Sequence, residues 1–140
     1  MIQSKCKNIL RKGEQIVTQS RCDVLCLLSK TQHPMSVSEI KKDLGLSAPN
    51  VVTIYRMLES FLKKGIVRRV PLRSSEALFE FTGFGDHHHI SCTKCEKIEE
   101  VDDCTLSAAL KSTLQKSQKF ATITQHTFEL FGLCKVCEKK

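Results

Sequence analysis

Two Cys-x-x-Cys pairs constrain the fold of this chain more than any other feature. They are Cys92 with Cys95 and Cys134 with Cys137, and 38 residues separate them. Two residues between cysteines let both thiolates of one turn reach the same ion, and two such turns complete a tetrahedral Zn²⁺ site. Buried thiols or a redox dithiol are the alternatives, but a redox pair ordinarily stands alone. The spacing therefore predicts a structural zinc.

The composition indicates where such a protein works. Hydrophobic residues make up 41% of the 140 residues, which is enough for a core. The longest apolar run, residues 24–28, is too short to cross a membrane, and the N-terminus lacks the apolar region of a signal peptide. We expect a cytoplasmic protein with no membrane partner. In that compartment eight cysteines favour metal or redox chemistry over disulfides.

The formal net charge of +7 is unevenly distributed. Residues 1–73 contain 14 Lys and Arg and five Asp and Glu. Residues 74–140 contain eight Lys and Arg and ten Asp and Glu. A basic half beside a Cys/His-rich half suggests a polyanion-binding module attached to a metal-binding module. A solvated basic surface without a partner explains the charge equally well, so charge alone leaves nucleic-acid binding open.

The first half has the element order of a winged helix-turn-helix. Apolar spacing predicts four helices, over residues 4–12, 18–30, 36–45 and 50–65. Ser36 and Glu39 form a capping box, and Asn50 is the expected N-cap of the last helix. Segments 66–72 and 77–81 flank a polar turn and predict a β-hairpin. In this fold the last helix enters the DNA major groove and the hairpin lies along the backbone.

Two of these helices are predicted to supply much of the core. We expect helix 18–30 to bury Cys22, Leu25, Cys26 and Leu28, and helix 50–65 to bury Val51, Ile54, Leu58, Phe61 and Leu62. Cys6 also lies on an apolar helical face. We therefore expect Cys6, Cys22 and Cys26 to be core residues rather than metal ligands.

After a glycine-bearing hinge the pattern changes to a small α+β unit. Short paired strands at 87–91 and 97–101 surround a cysteine turn, an amphipathic helix covers 105–116, and an alternating strand covers 120–132. The apolar helix and the long strand are candidates for a dimer interface.

Three consecutive histidines precede the first cysteine pair. Because successive side chains of a strand point to opposite faces, His87 and His89 share one face, and Asp86 and His88 share the other. Glu100 on the paired strand can meet His87 and His89. This alternation suggests two sites rather than one cluster. A solvated polar turn is the plain alternative.

Residues elsewhere in the chain can complete these two sites. Glu80 in the second hairpin strand and His33 between helices can join His87 and His89 by bridging the two halves. His126 in the long strand can join Asp86 and His88. Asp102 or Asp103 could add a further oxygen ligand.

These motifs resemble the ferric uptake regulator family, which has zinc-, manganese- and peroxide-sensing branches. The resemblance covers about residues 9–137. The segments that carry it are VTQSR at 17–21, HPMSVSEI at 33–40, TIYRMLESFLKKGIV at 53–67, HHHISCTKC with KIEEV at 87–101, and HTFELFGLCKVC at 126–137.

The resemblance implies a dimeric, metal-responsive transcription repressor that binds a double-stranded DNA operator. It implies a winged helix-turn-helix domain over 1–81, a hinge at 82–86 and a metal-binding dimerisation domain over 87–140. Carried over by position, the structural zinc ligands are Cys92, Cys95, Cys134 and Cys137. The regulatory metal ligands are His33, Glu80, His87, His89 and Glu100, a possible second regulatory set is Asp86, His88 and His126, and the DNA-binding residues are Thr53, Tyr55 and Arg56.

Two positions depart from the family pattern. Where the family usually has a basic residue just before Val17-Thr18, this chain has Gln15 and Ile16. The segment from Glu80 to His87 is also one residue longer than in close relatives.

The ligand chemistry bears on which metal is sensed. The implied site has three imidazoles and two carboxylates, and no cysteine lies between Glu76 and Ser91, where zinc-sensing relatives often place a thiolate. Peroxide-sensing relatives tend to have aspartates where this chain has Glu80 and Glu100. A nitrogen and oxygen site suits Fe²⁺ or Mn²⁺, although Zn²⁺ binds more tightly at equal availability. We expect Fe²⁺, with zinc, manganese or peroxide sensing as alternatives.

Two other classes of protein fit parts of the sequence. A zinc hydrolase or deaminase needs an open coordination position and a general base, and the chain has neither H-E-x-x-H nor H-x-E with P-C-x-x-C. A zinc-stabilised nucleic-acid adaptor without sensing explains the charge and the cysteines. It leaves the five histidines without a role.

Overall fold

A computed structural model describes residues 1–72, 74–85, 87–101, 106–124, 126 and 128–140. The chain divides into two compact units, Met1–Gly85 and Asp86–Lys140. Within the described ranges, no helix has the length and apolar character needed to cross a bilayer.

In the residues that the structure describes, the first unit contains four α-helices, two short 3-10 helices (Gly45–Ser47 and Thr82–Phe84) and a three-stranded sheet. Its elements are α1 (Ile2–Lys12), α2 (Gln19–Lys30), β1 (Met35–Ser36), α3 (Val37–Leu44), α4 (Val51–Lys63), β2 (Val67–Val70) and β3 (Leu78–Phe81). The four predicted helices and the hairpin are confirmed. The strand order is β1–β3–β2, and both pairings are antiparallel. β1 was not predicted, because two residues are too few to show a strand pattern.

Side-chain caps fix where three of these helices begin. The Thr18 hydroxyl accepts from the backbone N–H of Arg21 at the start of α2. Ser36 and Glu39 form the predicted capping box of α3, with both reciprocal hydrogen bonds present. Asn50 accepts from the backbone N–H of Thr53 at 2.8 Å and starts α4. Each such cap stabilises a helix by about 1 kcal/mol.

The core of the first unit forms where α2, α3 and α4 pack with the sheet. Its fully buried members include Leu25, Leu28, Ile40, Ile54, Leu58, Phe61 and Phe79. The prediction for α2 is confirmed, since Cys22, Leu25, Cys26 and Leu28 are all buried. For α4 the prediction is wrong at Val51, which is exposed in the first turn, whereas Met57 is buried instead.

Cysteines of the first unit include a disulfide, which corrects the expectation that this chain avoids them. Cys6 in α1 is bonded to Cys26 in α2, with their Cα atoms 5.9 Å apart. Cys22 is buried and free. Cys104 lies outside the described residues.

The described part of the second unit has a three-stranded sheet and two helices. Its elements are β4 (His88–Cys92), β5 (Ile98–Val101), α5 (Leu106–Gln115), β6 (Glu129–Gly132) and α6 (Lys135–Glu138). The strand order is β5–β4–β6, with β5 antiparallel and β6 parallel to β4. The predicted β4–β5 pair and the helix α5 are confirmed.

The long strand predicted over 120–132 is much shorter. Among the described residues of that segment, only Glu129–Gly132 is strand. β6 pairs with β4 from His89 opposite Glu129 to Cys92 opposite Gly132, and the earlier residues that the structure describes pair with no strand of this unit. An extended segment without a hydrogen-bonding neighbour gains little from a strand conformation.

Candidate metal centres and DNA-binding surface

The four cysteines of the two Cys-x-x-Cys pairs come together in the second unit. Cys92 is the last residue of β4, and Cys95 lies in the following turn. Cys134 is the N-cap of α6, and Cys137 lies within this helix. Parallel pairing of β4 with β6 places Cys92 opposite Gly132, two residues before Cys134. The four sulfur atoms all lie within 4.8 Å of one another.

Their spacing fits a tetrahedral zinc ion. Four sulfurs about 2.3 Å from one zinc lie about 3.8 Å from each other. The Sγ atoms of Cys95 and Cys134 are 3.7 Å apart. A site with four thiolate ligands is closed, so it leaves no coordination position for a catalytic water.

Backbone hydrogen bonds stabilise thiolates in this cluster. The N–H of Cys134 points at Cys92 Sγ over 3.4 Å, and chiefly this contact lowers the pKa of Cys92 to about 6. The N–H of Cys137 lowers the pKa of Cys134 in the same way. The neighbouring sulfurs of Cys134 and Cys95 raise the pKa of Cys137 to about 12. Only a bound cation would let all four thiols ionise together.

A second group of ligands lies across the β4–β5 pair. His89 is directly opposite Glu100 in the register, and the rings of His87 and His89 are 4.9 Å apart in an edge-to-face arrangement. Nδ1 of His87 is 4.0 Å from Oε1 of Glu100. Two ligands about 2.1 Å from one ion can be at most about 4.2 Å apart, so this pair is within reach of a single metal.

The middle histidine has different neighbours. The ring of His88 lies 6.0 Å from that of His126 and 5.3 Å from that of Phe128. The structure thus brings together two of the three residues predicted for a second regulatory site. The third, Asp86, lies outside the described residues, as do Asp102 and Asp103.

The other two predicted regulatory ligands lie in the first unit. His33 is exposed in the segment between α2 and β1. Glu80 lies in β3 and is only 3% exposed. Opposite it on β2, Arg68 donates from Nε to the Glu80 carboxylate. Sequence reasoning missed this ion pair, which the antiparallel register creates by placing Arg68 directly opposite Glu80.

The exposed face of α4 has the predicted DNA-binding residues. Tyr55 and Arg56 are exposed, and Thr53 is half-buried. Val52 is 59% exposed and lies one helical turn before Tyr55 and Arg56. Val52 was not predicted to belong to this face, although it lies at helical spacing from the two polar residues.

Gln15, which stands near the family's usual basic residue, makes internal hydrogen bonds. Its side-chain oxygen accepts from Arg21 and from the hydroxyl of Ser60, each at 2.6 Å. This side chain therefore ties the segment before α2 to α4. Its neighbour Ile16 is exposed.

The comparison with known protein families agrees with this geometry. The model of the ferric uptake regulator family matches residues 13–131. The chain belongs to the ferric uptake regulator family. Members of this family are metal-responsive transcription regulators rather than enzymes, with an N-terminal winged-helix domain and a C-terminal dimerisation domain. The resemblance and the fold class predicted from the sequence are both confirmed.

Individual relatives extend over nearly the whole chain. The peroxide-responsive repressor PerR of Staphylococcus saprophyticus is 30% identical over 99% of this chain and 93% of its own length. The ferric uptake regulator of Pseudomonas aeruginosa with manganese is 25% identical, with a TM-score of 0.78 over 96% of this chain and 99% of that one. The Helicobacter pylori regulator Fur shares the fold, with a TM-score of 0.81 at 22% identity over 99% and 93% of the two chains.

Proposed function

We propose that this protein is a sequence-specific transcription repressor that controls iron homeostasis by binding Fe²⁺. It binds a double-stranded DNA operator as a homodimer, with residues 1–81 as the DNA-binding domain, 82–86 as the hinge and 87–140 as the metal-binding dimerisation domain. Structural zinc is held by the four-cysteine cluster, and the regulatory metal is held separately.

The observation that carries this proposal is the presence of two chemically distinct ligand groups in one unit. Four sulfurs lie within 4.8 Å of one another, and a separate group of His87, His89 and Glu100 offers only nitrogen and oxygen. A zinc-stabilised adaptor needs the first group alone. The second group supports a regulatory metal that binds reversibly while the structural zinc remains bound.

The donor atoms favour iron or manganese over zinc. Imidazole and carboxylate ligands without a thiolate suit Fe²⁺ and Mn²⁺, whereas a soft sulfur ligand would favour zinc. The relative from Pseudomonas aeruginosa is a structure with manganese, which supports a metal of this class. Zinc uptake regulation remains the alternative, since Zn²⁺ binds such ligands more tightly at equal free concentration.

Peroxide sensing is a second candidate, because a relative with 30% identity is a peroxide-responsive repressor. The two acidic ligands argue against it here. Peroxide-sensing relatives tend to have aspartates at these positions, and this chain has Glu80 and Glu100. Glutamate has one more methylene group than aspartate, so it changes the position of the carboxylate oxygen relative to a neighbouring imidazole that binds the same ion.

The proposed regulatory ligands come from both units, and this is the basis of the switch. His33 and Glu80 belong to the first unit, and His87, His89 and Glu100 belong to the second. A metal held by all five would favour one arrangement of the DNA-binding domains. DNA binding then responds to metal only as far as the metal binds that arrangement more tightly than the others.

Apolar surface supports the homodimer. In the second unit Phe120, Ile123, Phe128, Phe131 and Leu133 are all exposed in a single chain. Leu110 and Leu114 of α5 are only half-buried. Apolar surface of this extent ordinarily marks an interface with another chain.

The test is selection of DNA from a random-sequence pool, followed by binding measurements under anaerobic conditions. Zinc-loaded protein is supplied with Fe²⁺, Mn²⁺ or Zn²⁺ at free concentrations buffered to cytosolic levels. Fe²⁺ is expected to switch on binding to the selected sequence. If Zn²⁺ alone does so, the protein is a zinc-uptake regulator and the iron assignment is wrong.

A further inference from the structure

Two cysteines outside the zinc cluster form a pair in the DNA-binding unit. Cys6 of α1 and Cys26 of α2 are joined by a disulfide, and their Cα separation of 5.9 Å lies in the range that this bond requires. Both belong to the buried core of the first unit, so the four-cysteine cluster of the second unit does not use them. Cys22, one turn earlier in α2, is also buried and stays free.

The pair lies beneath the first turn of α1. Cys6 is 1% exposed and Cys26 is 8% exposed. The sulfur of Cys26 is 3.9 Å from the carbonyl oxygen of Ile2, and the sulfur of Cys6 is 3.9 Å from the hydroxyl of Ser29. Met1 provides no side-chain cap for α1, and the first turn has no acidic residue. Because a helix end without a cap opens readily, this turn can uncover the sulfurs without unfolding the unit.

We propose that Cys6 and Cys26 are a reversible thiol–disulfide site that a small hydroperoxide oxidises and a thiol reductant restores. The burial of the two sulfurs determines which class of oxidant can reach them. A small uncharged molecule can reach sulfurs that are less than a tenth exposed, whereas a charged peptide disulfide must open more of α1 to do so. This proposal concerns the first unit and does not depend on which metal the second unit senses.

The chemistry balances with the hydroperoxide as the two-electron oxidant. The thiolate of one cysteine attacks the outer peroxide oxygen, the O–O bond breaks, and an alcohol or water leaves as the cysteine becomes a sulfenic acid. The second thiolate then attacks that sulfur, the S–O bond breaks, and water leaves as the S–S bond forms. The two thiol protons end in the two released molecules. Cys26 is the expected first nucleophile because its side chain is the more exposed.

The bond would fix a basic helix to the DNA-binding unit. α1 contains four Lys and Arg and no Asp or Glu. The disulfide joins it to α2 across a sequence separation of 20 residues. Oxidation therefore removes the freedom of α1 to leave α2, and a higher melting temperature of the first unit is the expected result.

The test uses the full protein with its zinc in place. The protein is reduced anaerobically, freed of reductant and treated with one equivalent of hydrogen peroxide. Free thiols are then alkylated in denaturant, and the intact mass and linked peptides are measured. We expect two fewer alkylated cysteines, a Cys6–Cys26 peptide, unchanged bound zinc, a raised melting temperature and full recovery with dithiothreitol. Cys22→Ser should behave like wild type. Cys26→Ser should show no peroxide-dependent loss of alkylated cysteines and no rise in melting temperature.

Three results would overturn the proposal. The first is that peroxide releases zinc and oxidises the four-cysteine cluster while Cys6 and Cys26 stay alkylatable. The second is that the disulfide resists dithiothreitol until the protein is unfolded, which would make it a permanent structural bond. The third is that glutathione disulfide oxidises the pair where peroxide does not, which would remove the hydroperoxide assignment. All three are read on the wild-type protein, so a poorly folding variant does not remove the test.

Discussion

Arg68 and Glu80 face each other across the two strands of the hairpin, and the Arg68 guanidinium donates to a carboxylate that is almost fully buried. A metal that binds Glu80 must compete with this guanidinium or share the carboxylate with it. Because the guanidinium is a cation beside the proposed cation site, it should weaken metal binding. Arg68 would then set the free metal concentration at which the site fills.

The first prediction is that Arg68→Gln binds the regulatory metal roughly fivefold more tightly than wild type. Arg68 is partly exposed, so solvent screens its effect to about 1 kcal/mol. Competition with a metal chelator measures the dissociation constant. Arg69→Gln is the matched control, because Arg69 pairs with Glu59 at the surface. Weaker metal binding by Arg68→Gln would mean that Arg68 orients the carboxylate and does not compete.

The second prediction concerns the four-cysteine cluster. Cys92→Ser or Cys134→Ser should lose the tightly held zinc and the folded second unit, and the dimer with it. Zinc binding at such sites contributes on the order of 10 kcal/mol to folding. Metal analysis and light scattering measure both effects. Cys22→Ser, outside the cluster, should keep zinc and dimer. A Cys92 variant that stays dimeric with its zinc would remove the structural role.

The third prediction concerns the exposed face of α4. Tyr55→Ala should relax sequence preference, since a base contact is lost, whereas Arg56→Ala should weaken binding to all sequences. Loss of one phosphate contact should also reduce the slope of log affinity against log salt by about 1. Lys139→Ala in the second unit is the control. If both α4 substitutions leave operator affinity intact, α4 is not the recognition helix.

The fourth prediction tests the dimer. Ile123→Lys places a charge on apolar surface of the second unit that is exposed in a single chain. The substitution should shift the protein toward monomers at micromolar concentration, because burial of such a charge in an interface is unfavourable. Ile16→Lys makes the same change in the first unit and should leave the dimer intact. Sedimentation that shows equal dimer fractions for both variants would exclude this surface from the interface.

Local sequence signals explain why the helices of the first unit were predictable. The Ser36–Glu39 capping box and the Asn50 cap act over three residues, so they can be read directly from the sequence. Val51 is different. Its position in the first turn of α4 leaves it beyond the core, and helical spacing alone cannot show how far the core extends along a helix.

Non-local pairings account for the features that the sequence did not predict. β1 exists because Met35 and Ser36 pair with Phe79 and Leu78, more than 40 residues away. The Cys6–Cys26 bond likewise joins two helices, and cysteine pairing cannot be deduced from sequence alone. The predicted strand over 120–132 has suitable residues throughout, but its described residues pair with β4 only from Glu129 onward.

The candidate metal centres show the same division. The Cys-x-x-Cys spacing predicted the sulfur cluster because each pair lies in one turn. The alternation of His87, His88 and His89 predicted that His87 and His89 share one face and that His88 faces His126, and the ring contacts agree with both expectations. The contact between Arg68 and Glu80 could not be predicted without the register of the hairpin. The sequence is compatible with several registers, because the length of the turn is not fixed by the sequence pattern.

Metal-dependent DNA binding by wild type and His89→Ala is the most direct test of the central claim. Both proteins are expected to keep zinc in the four-cysteine cluster, and anisotropy of the selected DNA is measured against buffered free Fe²⁺ under anaerobic conditions. Metal should tighten wild-type binding by about 5- to 150-fold, which is the usual range of such coupling. His89→Ala should remain a zinc-containing dimer with no metal response. A response of His89→Ala to Fe²⁺ equal to that of wild type would contradict the proposed metal switch.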